Sequence, residues 1–414
     1  MLVKNHKTHR QQFEIKYRYP KFHAMKTTIL LSAAFLTVSA MIPSAMAQDE
    51  KPKFKFTPAG RILLDGALFA PHHDGFADGV AVPDIRLGGK VEYGNWLAKI
   101  DVGYAFGKIG MKDVYLQYKF NDNNLLRGGY FVHQFGLQSA TSSSMKPSFE
   151  APLTDTYMNA TGRNLGFMYM YDKGPFLATA SVIVGTKLTE HANDAGKVSV
   201  GGISRLLWRP LHSEGKVAQV GVSGWYQSAF HETIEKEDGT PGVSKGFFDY
   251  SANYPTRVDH ITLLSTDIEN ARGVFKLSPE MLLSAGRFAL EGQYYYMNVN
   301  RKDGHAFVSN GAYGLLRGLI CGDSSYAYSS ADGGLATPKP KTLECVLGYN
   351  YTNANSNKAA IYGGISNDFS VTFNYYINKY MLARLRWSYT NVRGSSVVPD
   401  NHVNIIEARV QFKF

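Results

Sequence analysis

The stretch VEYGNWLAKIDVGY alternates with period two on both sides of a two-residue turn, and this narrows the possible folds more than any other feature of the chain. Val91, Tyr93, Trp96, Ala98, Ile100, Val102 and Tyr104 fall on one face, and Glu92, Leu97, Lys99, Asp101 and Gly103 on the other. Alternation around Gly94-Asn95 predicts a β-hairpin. Its apolar, aromatic face must meet either a second sheet or lipid, and the local pattern does not choose between them.

The ends of the chain bear on that choice. Met25-Lys26 opens MKTTILLSAAFLTVSAMIPSAMAQ, a basic start followed by an apolar run and the small-x-small site Ala45-Met46-Ala47. This predicts a secretory signal peptide, too short for a membrane-spanning helix, with residues 1–24 as an upstream extension. Residues 1–47 are therefore expected to be removed, leaving 48–414 as a single domain beginning at Gln48. No Cys stands beside the site, so a lipid-anchored N-terminus is not expected. The removed part holds seven Lys/Arg and one Glu, so a whole-chain net charge of +10 falls to +4 in residues 48–414. That balance lacks the dense basic footprint of a nucleic-acid binder.

After Gln48 no apolar run approaches the ~20 residues a spanning helix needs. A membrane reading then requires a barrel. The ending VNIIEARVQFKF puts Ile406, Ala408, Val410, Phe412 and Phe414 on one face and Glu407, Arg409, Gln411 and Lys413 on the other. It resembles the assembly signal of bacterial outer-membrane barrels. The 26 Tyr, 24 Phe and 40 Gly with a mean hydropathy of −0.22 fit interfacial aromatic girdles and a membrane character that hydropathy averages hide.

The expected fold is thus all-β, a transmembrane antiparallel barrel of about sixteen strands. They are expected near 61–69, 85–93, 96–105, 111–120, 125–132, 163–171, 176–184, 198–209, 217–227, 271–284, 288–298, 311–320, 343–351, 369–377, 380–389 and 403–414. Pro279 is expected to interrupt the tenth, and 261–264 to form an extra strand segment. Two long outer connections, 133–162 and 228–270, lack a strand pattern and are expected to be functional. A barrel this size leaves a lumen too wide for its wall side chains to fill.

Where alternation is clear, the face away from lipid carries Arg61, Arg86, Lys90, Lys99, Lys119, Arg127, Arg205, Arg209, Arg384, Arg386, Arg409 and Lys413. The acids there are Asp65, Glu92, Asp101, Asp113, Glu291, Glu344 and Glu407. Cationic excess in a low-dielectric-walled pore enriches anions. Mutual pairing of these charges is the alternative. Arg384, Arg386 and Arg409 form the densest cluster, and guanidinium forks suit phosphate and carboxylate. No nucleophile elbow, Walker loop or HExxH motif is present, so no enzyme and no cofactor are expected. His72-His73-Asp74 has ligand types but reads as solvated loop residues. Cys321 and Cys345 bracket a 23-residue segment and are either a disulfide or free thiols.

The segments LLRGGYFVHQFGLQSATSSSMKPSFEAPLTDTYMNATGRNLGFMYMY, YAFGKIGMKDVYLQYKF, LEGQYYYMNVNR and MLARLRWSYTNV through ARVQFKF resemble the phosphate-selective porin O and P family over most of residues 48–414. The resemblance implies a sixteen-stranded, homotrimeric outer-membrane channel with outer loops three and five and a long periplasmic turn folded into the lumen. Here those would be 133–162, 228–270 and 321–342. It places Arg127 and Arg163 near the constriction. Two departures are Gln134, where the family commonly has Pro, and Ala151, where an Arg commonly follows the Glu. The expected function is an outer-membrane porin for passive diffusion of small anionic or neutral solutes with mild anion preference. The alternative is a plugged barrel serving as an anchored binding or assembly component. Arg127, Arg163, Lys99, Arg205, Arg384, Arg386 and Arg409 are the expected pore-lining residues.

Overall fold

The computed structural model of the chain describes residues 52–73, 75–159, 162–185 and 198–414. The expected leader and its cleavage site before Gln48 lie outside the described residues. Sixteen strands close into one antiparallel barrel. They are β1 (Lys55–Pro71), β2 (Gly79–Tyr93), β3 (Trp96–Ala105), β4 (Lys108–Asn121), β5 (Asn124–Val132), β6 (Arg163–Lys173), β7 (Phe176–Val184) and β8 (Val200–Ser213), followed by β9 (Lys216–Ser228), β10 (Ala271–Ala285), β11 (Phe288–Arg301), β12 (Phe307–Cys321), β13 (Thr342–Ser356), β14 (Ile361–Tyr376), β15 (Met381–Ser395) and β16 (Asn401–Lys413). Each pairs with the next, and β1 closes the seam on β16 with Leu63 opposite Gln411.

Alternation explains the closure. On β16, Ile406, Ala408, Val410 and Phe412 are exposed while Glu407, Arg409 and Gln411 are buried, so the apolar set faces lipid and the polar set the lumen. The opening hairpin does the same: Tyr93, Trp96, Ile100, Val102 and Tyr104 are exposed, and Asp101 is buried. Two-residue turns with glycine at positive φ join strands along one rim, as at Gly94, Gly174, Gly215 and Gly286. No helix among the described residues is long and apolar enough to cross a membrane. The crossing is made by strands, every one at least as long as the ~9 residues a tilted transmembrane strand requires.

Two expected breaks are absent. The segment PLHSEGK was expected as a connection, but β8 runs through Pro210 by a bulge between Trp208 and Leu211, shrinking the turn to Glu214-Gly215. Pro279 does not end β10 either. It has no N–H to give, and the neighbouring Ser278 hydroxyl donates to the Tyr294 carbonyl at 2.7 Å. The extra strand segment expected at 261–264 is part of a loop hairpin, Phe247–Asn253 paired with Thr262–Glu269. Cys321 and Cys345 are free thiols on adjacent strands: Cys345 stands opposite Gly318, and Cys321 is exposed.

The largest apolar core is inside the barrel. Phe135, Leu153, Tyr157 and Met158 from loop 133–162 (L3) pack with Phe248, Tyr250, Leu263 and Ile268 from loop 229–270 (L5) against Trp225, Val274, Tyr295 and Met297 of the wall.

Candidate functional site

The site is the lumen, and L3 defines its shape. L3 leaves β5 at His133 and has reached β9 by Gly136, whose N–H donates to Ser223 Oγ at 2.9 Å. A Cβ there would lie 1.7 Å from Gln293 Nε2, and φ is +86°, so both space and backbone demand glycine. Among its described residues L3 carries only two short helices, α1 (Leu137–Ala140) and α2 (Leu153–Met158), so most of its peptide groups need partners from elsewhere. The wall supplies them. Arg384 of β15 donates to the carbonyls of Lys146 and Ser148. Arg409 of β16 donates to Phe149 O at 2.6 Å, Asn374 of β14 to Pro147 O at 2.8 Å, and Lys276 of β10 to Met158 O at 2.5 Å. Asn350 of β13 accepts from Thr154 N at 3.0 Å.

Two further segments fold inward. Arg386 donates to Pro255 O of L5 at 2.7 Å, and Thr266 of the L5 hairpin hydrogen-bonds Tyr157 of α2 at 2.8 Å. Glu150 links the loops, 2.8 Å from Arg257 of L5 and 3.1 Å from Arg409. Burial works against its charge, but the two guanidinium groups hold its carboxyl down at about 2. The turn 322–341 rises from the opposite rim. Arg205 pairs with Glu280 at 2.7 Å and donates to Asp332 O at 2.7 Å, while Gln219 donates to Gly333 O at 2.8 Å. Leu335 of this turn joins Leu137 of α1 in an apolar cluster. All three segments expected to fold into the lumen do so.

The expected pore-lining residues divide into two groups. Arg205, Arg384, Arg386 and Arg409 are 0%, 4%, 3% and 3% exposed. They lie beneath the inward-folded segments, whereas the sequence reading had them lining the pore. Long guanidinium side chains facing a wide lumen are the donors that an irregular buried backbone requires. Arg127, Arg163 and Lys99 are half-buried on β5, at the start of β6 and on β3. Lys99 bonds Asp113 at 2.9 Å, Arg163 bonds the same carboxylate at 2.8 Å, and Arg127 donates twice to Gln117 Oε1.

Several lumen charges escaped the pattern. Lys112 sits at a bulge where Lys112-Asp113 oppose the single residue Asp101, which turns its side chain over Gly103 on the inner face. Simple alternation had put it outside. Among the described residues it has no hydrogen bond or ion pair. Arg257 lies in L5, where no period reveals its direction. Arg317, paired with Glu344 at 2.8 Å and Glu291 at 3.5 Å, sits on β12, whose sequence pattern is weak.

These placements leave the lumen asymmetric. Inward-facing residues of β8–β15 are buried under L3, L5 and the turn 322–341, whereas most of those of β2–β5, Phe131 among the exceptions, stay half-exposed. Arg86, Lys90, Lys99, Lys112 and Arg127, with Arg163 beside them, stand on that free side with Glu92 and Asp113 as its half-exposed carboxylates. Asp84 and Asp101 are buried, 2% and 4% exposed. Among the described residues no group of three or more His, Cys, Asp or Glu is arranged to hold a metal; the His72 ring stacks on that of His402 at 4.6 Å and lies tilted against that of His73 at 4.4 Å.

A closed sixteen-stranded barrel with an apolar outer face, a charged lumen and a loop folded across it defines an outer-membrane porin. The model of the family phosphate-selective porin O and P matches residues 90–414, and the chain belongs to that family. It is a channel and not an enzyme. No curated protein sequence matches the chain. Its fold is similar to that of an anion-selective porin from Comamonas acidovorans (11% identity, covering 87% of this chain and 100% of that one, TM-score 0.56). It is similar also to the trimer form of OmpT, an outer membrane protein of Vibrio cholerae (10% identity, 87% and 99% covered, TM-score 0.53), and to OprB of Pseudomonas putida (10% identity, 87% and 94% covered, TM-score 0.51). At such identities the likeness is of fold alone.

Proposed function

We propose that this porin conducts small solutes by passive diffusion along the β2–β5 side of its lumen, with a mild preference for anions, as a homotrimer. The observation carrying this reading is the surplus of half-exposed cations there. Of Arg86, Lys99, Lys112, Arg127 and Arg163, Lys99 and Arg163 share Asp113, Lys99 also meets Asp101 and Arg86 meets Asp84, while Lys112 and Arg127 have no ion pair among the described residues. A trimer accords with the resemblance to the family and with the trimer form of OmpT.

Geometry sets the strength of the preference. Unit charges 4 Å apart interact by about 1 kcal/mol in water but by about 4 kcal/mol at an effective dielectric of 20. A passage walled by L3 lies nearer the second figure, so these few cations outweigh those of a wide vestibule. Salt erodes the effect as the screening length shrinks to roughly 8 Å.

Reversal potential in a KCl gradient across a planar bilayer tests this, for wild type and for Arg127→Ala/Arg163→Ala. Anion preference at low salt that falls in the double mutant is expected. No preference in wild type, or none lost in the mutant, contradicts the reading, and absence of discrete open-channel steps leaves the plugged barrel.

A further inference from the structure

The free side of the lumen is not uniformly charged. On β4–β6, Phe131, Met168 and Met170 form a buried apolar cluster, with the half-buried Tyr115 and Leu125 packed against it. This patch lies on the inner face: Tyr115 stands opposite Lys99 on β3, and Phe131 stacks on His133 at the start of L3. Phe131, Met168 and Met170 are 1%, 0% and 4% exposed, so the apolar surface this patch presents to the lumen is that of Tyr115 and Leu125.

Arg127 sits over the patch. Its guanidinium carbon is 4.4 Å from the Tyr115 ring centroid and 5.3 Å from that of Phe131. Gln117 Oε1 accepts from Nε at 3.1 Å and from Nη2 at 2.8 Å, fixing the group. Nη1 has no hydrogen-bond partner among the described residues. Asp332 of the turn 322–341, the carboxylate whose charge reaches Arg127, is bonded by Ser329 Oγ at 2.9 Å. A guanidinium held against an aromatic ring with one edge free offers a charged bond and an apolar floor side by side.

We infer that Tyr115, Arg127 and the apolar cluster beneath them form a subsite for aromatic carboxylates, which makes planar organic anions, rather than phosphate, the retained solutes of this channel. A carboxylate takes Arg127 Nη1 while the ring it carries lies against Tyr115, and Lys99, on the far side of Tyr115, is already held by Asp101 at 3.0 Å and Asp113 at 2.9 Å, which leaves Arg127 as the cation that receives the carboxylate. Inorganic phosphate gains the charge but nothing from the floor. This inference rests on the proposed open path along β2–β5.

The test is single-channel current through purified wild-type protein in low-salt KCl, with benzoate, acetate or inorganic phosphate added in turn at equal concentration. Benzoate is expected to interrupt the current for longer than acetate or phosphate. Tyr115→Ser is expected to shorten the benzoate interruptions by roughly two- to tenfold, the worth of one aromatic contact. Equal interruption by benzoate and acetate, longer retention of phosphate, or a Tyr115→Ser channel that holds benzoate as wild type does would overturn the subsite. Should the variant not assemble, the three-anion comparison on wild type decides alone. An anion-preferring channel blind to benzoate sinks only the subsite, whereas a barrel without open steps sinks the porin path and the subsite with it.

Discussion

Arg384 and Arg409 stand directly opposite each other across the β15–β16 ladder, two like charges in register, and both are turned away from water. Each is bonded to L3 carbonyls, Arg384 to Lys146 and Ser148, and Arg409 to Phe149, with Asp65 2.6 Å from Arg409. Facing like charges would destabilise an exposed ladder. Here the loop backbone and Asp65 compensate them, so the pair works as a clamp on L3.

Arg409→Ala should therefore loosen L3 and strand Asp65 as a buried charge, a change that costs about 3–5 kcal/mol when a buried pair is broken. Limited proteolysis would show new cleavage within 133–162, and thermal unfolding of the barrel would begin earlier. Wild-type cleavage and melting would contradict the clamp.

Lys276→Met tests the far end of the same loop. The ammonium donates to Met158 O at 2.5 Å and lies 4.4 Å from the Trp225 ring and 4.6 Å from that of Tyr250. Losing it leaves a buried carbonyl without a donor, a penalty of about 1–3 kcal/mol. Larger, noisier conductance is expected as α2 frees itself. Unchanged current noise would count against it.

Acid should weaken the start of L3. Burial against Phe131, with the charge of Arg127 nearby, pushes the His133 imidazole down to about 4. The folded state thus favours the neutral ring. Its contribution is whole above the unfolded value of about 6.5 and is lost as pH falls from there toward 4. Protease sensitivity of 133–162 should rise across that window, and His133→Phe should flatten the rise.

The L5 hairpin should respond in the opposite sense. Asp249 faces Asp267 in register, and burial together with that carboxylate raises Asp249 to about 6. Protonation of Asp249 removes its repulsion with Asp267 at low pH, and the hairpin loses stability as pH climbs through about 6. Hydrogen exchange of 247–269 measured at pH 5 and pH 8 should differ in wild type and converge in Asp267→Asn.

Deleting Phe414 should impair assembly. Its backbone exchanges both hydrogen bonds with Gly60, at 3.0 and 3.1 Å, and its ring lies where a Gly60 Cβ would stand. The deletion removes the last rung of the β1–β16 seam. Heat-modifiable barrels formed at the wild-type level would refute this.

The sequence by itself determined the wall. Most of the strands were legible because lipid on one face and water or protein on the other impose period two on a crossing, as in Ile406 through Phe412, and glycine turns mark the reversals, whereas β10, with Pro279, and β12 carried a weak pattern. The resemblance to the family marked which three segments fold inward. Only the tertiary structure decided which side of the lumen stays open. Period two tells that Arg205, Arg384 and Arg127 all point inward. It cannot tell that irregular backbone from L3, L5 and the turn 322–341 covers the first two and spares the third. That depends on where carbonyls distant in sequence come to rest, and a carbonyl, being the same in every residue, writes no signal into the sequence.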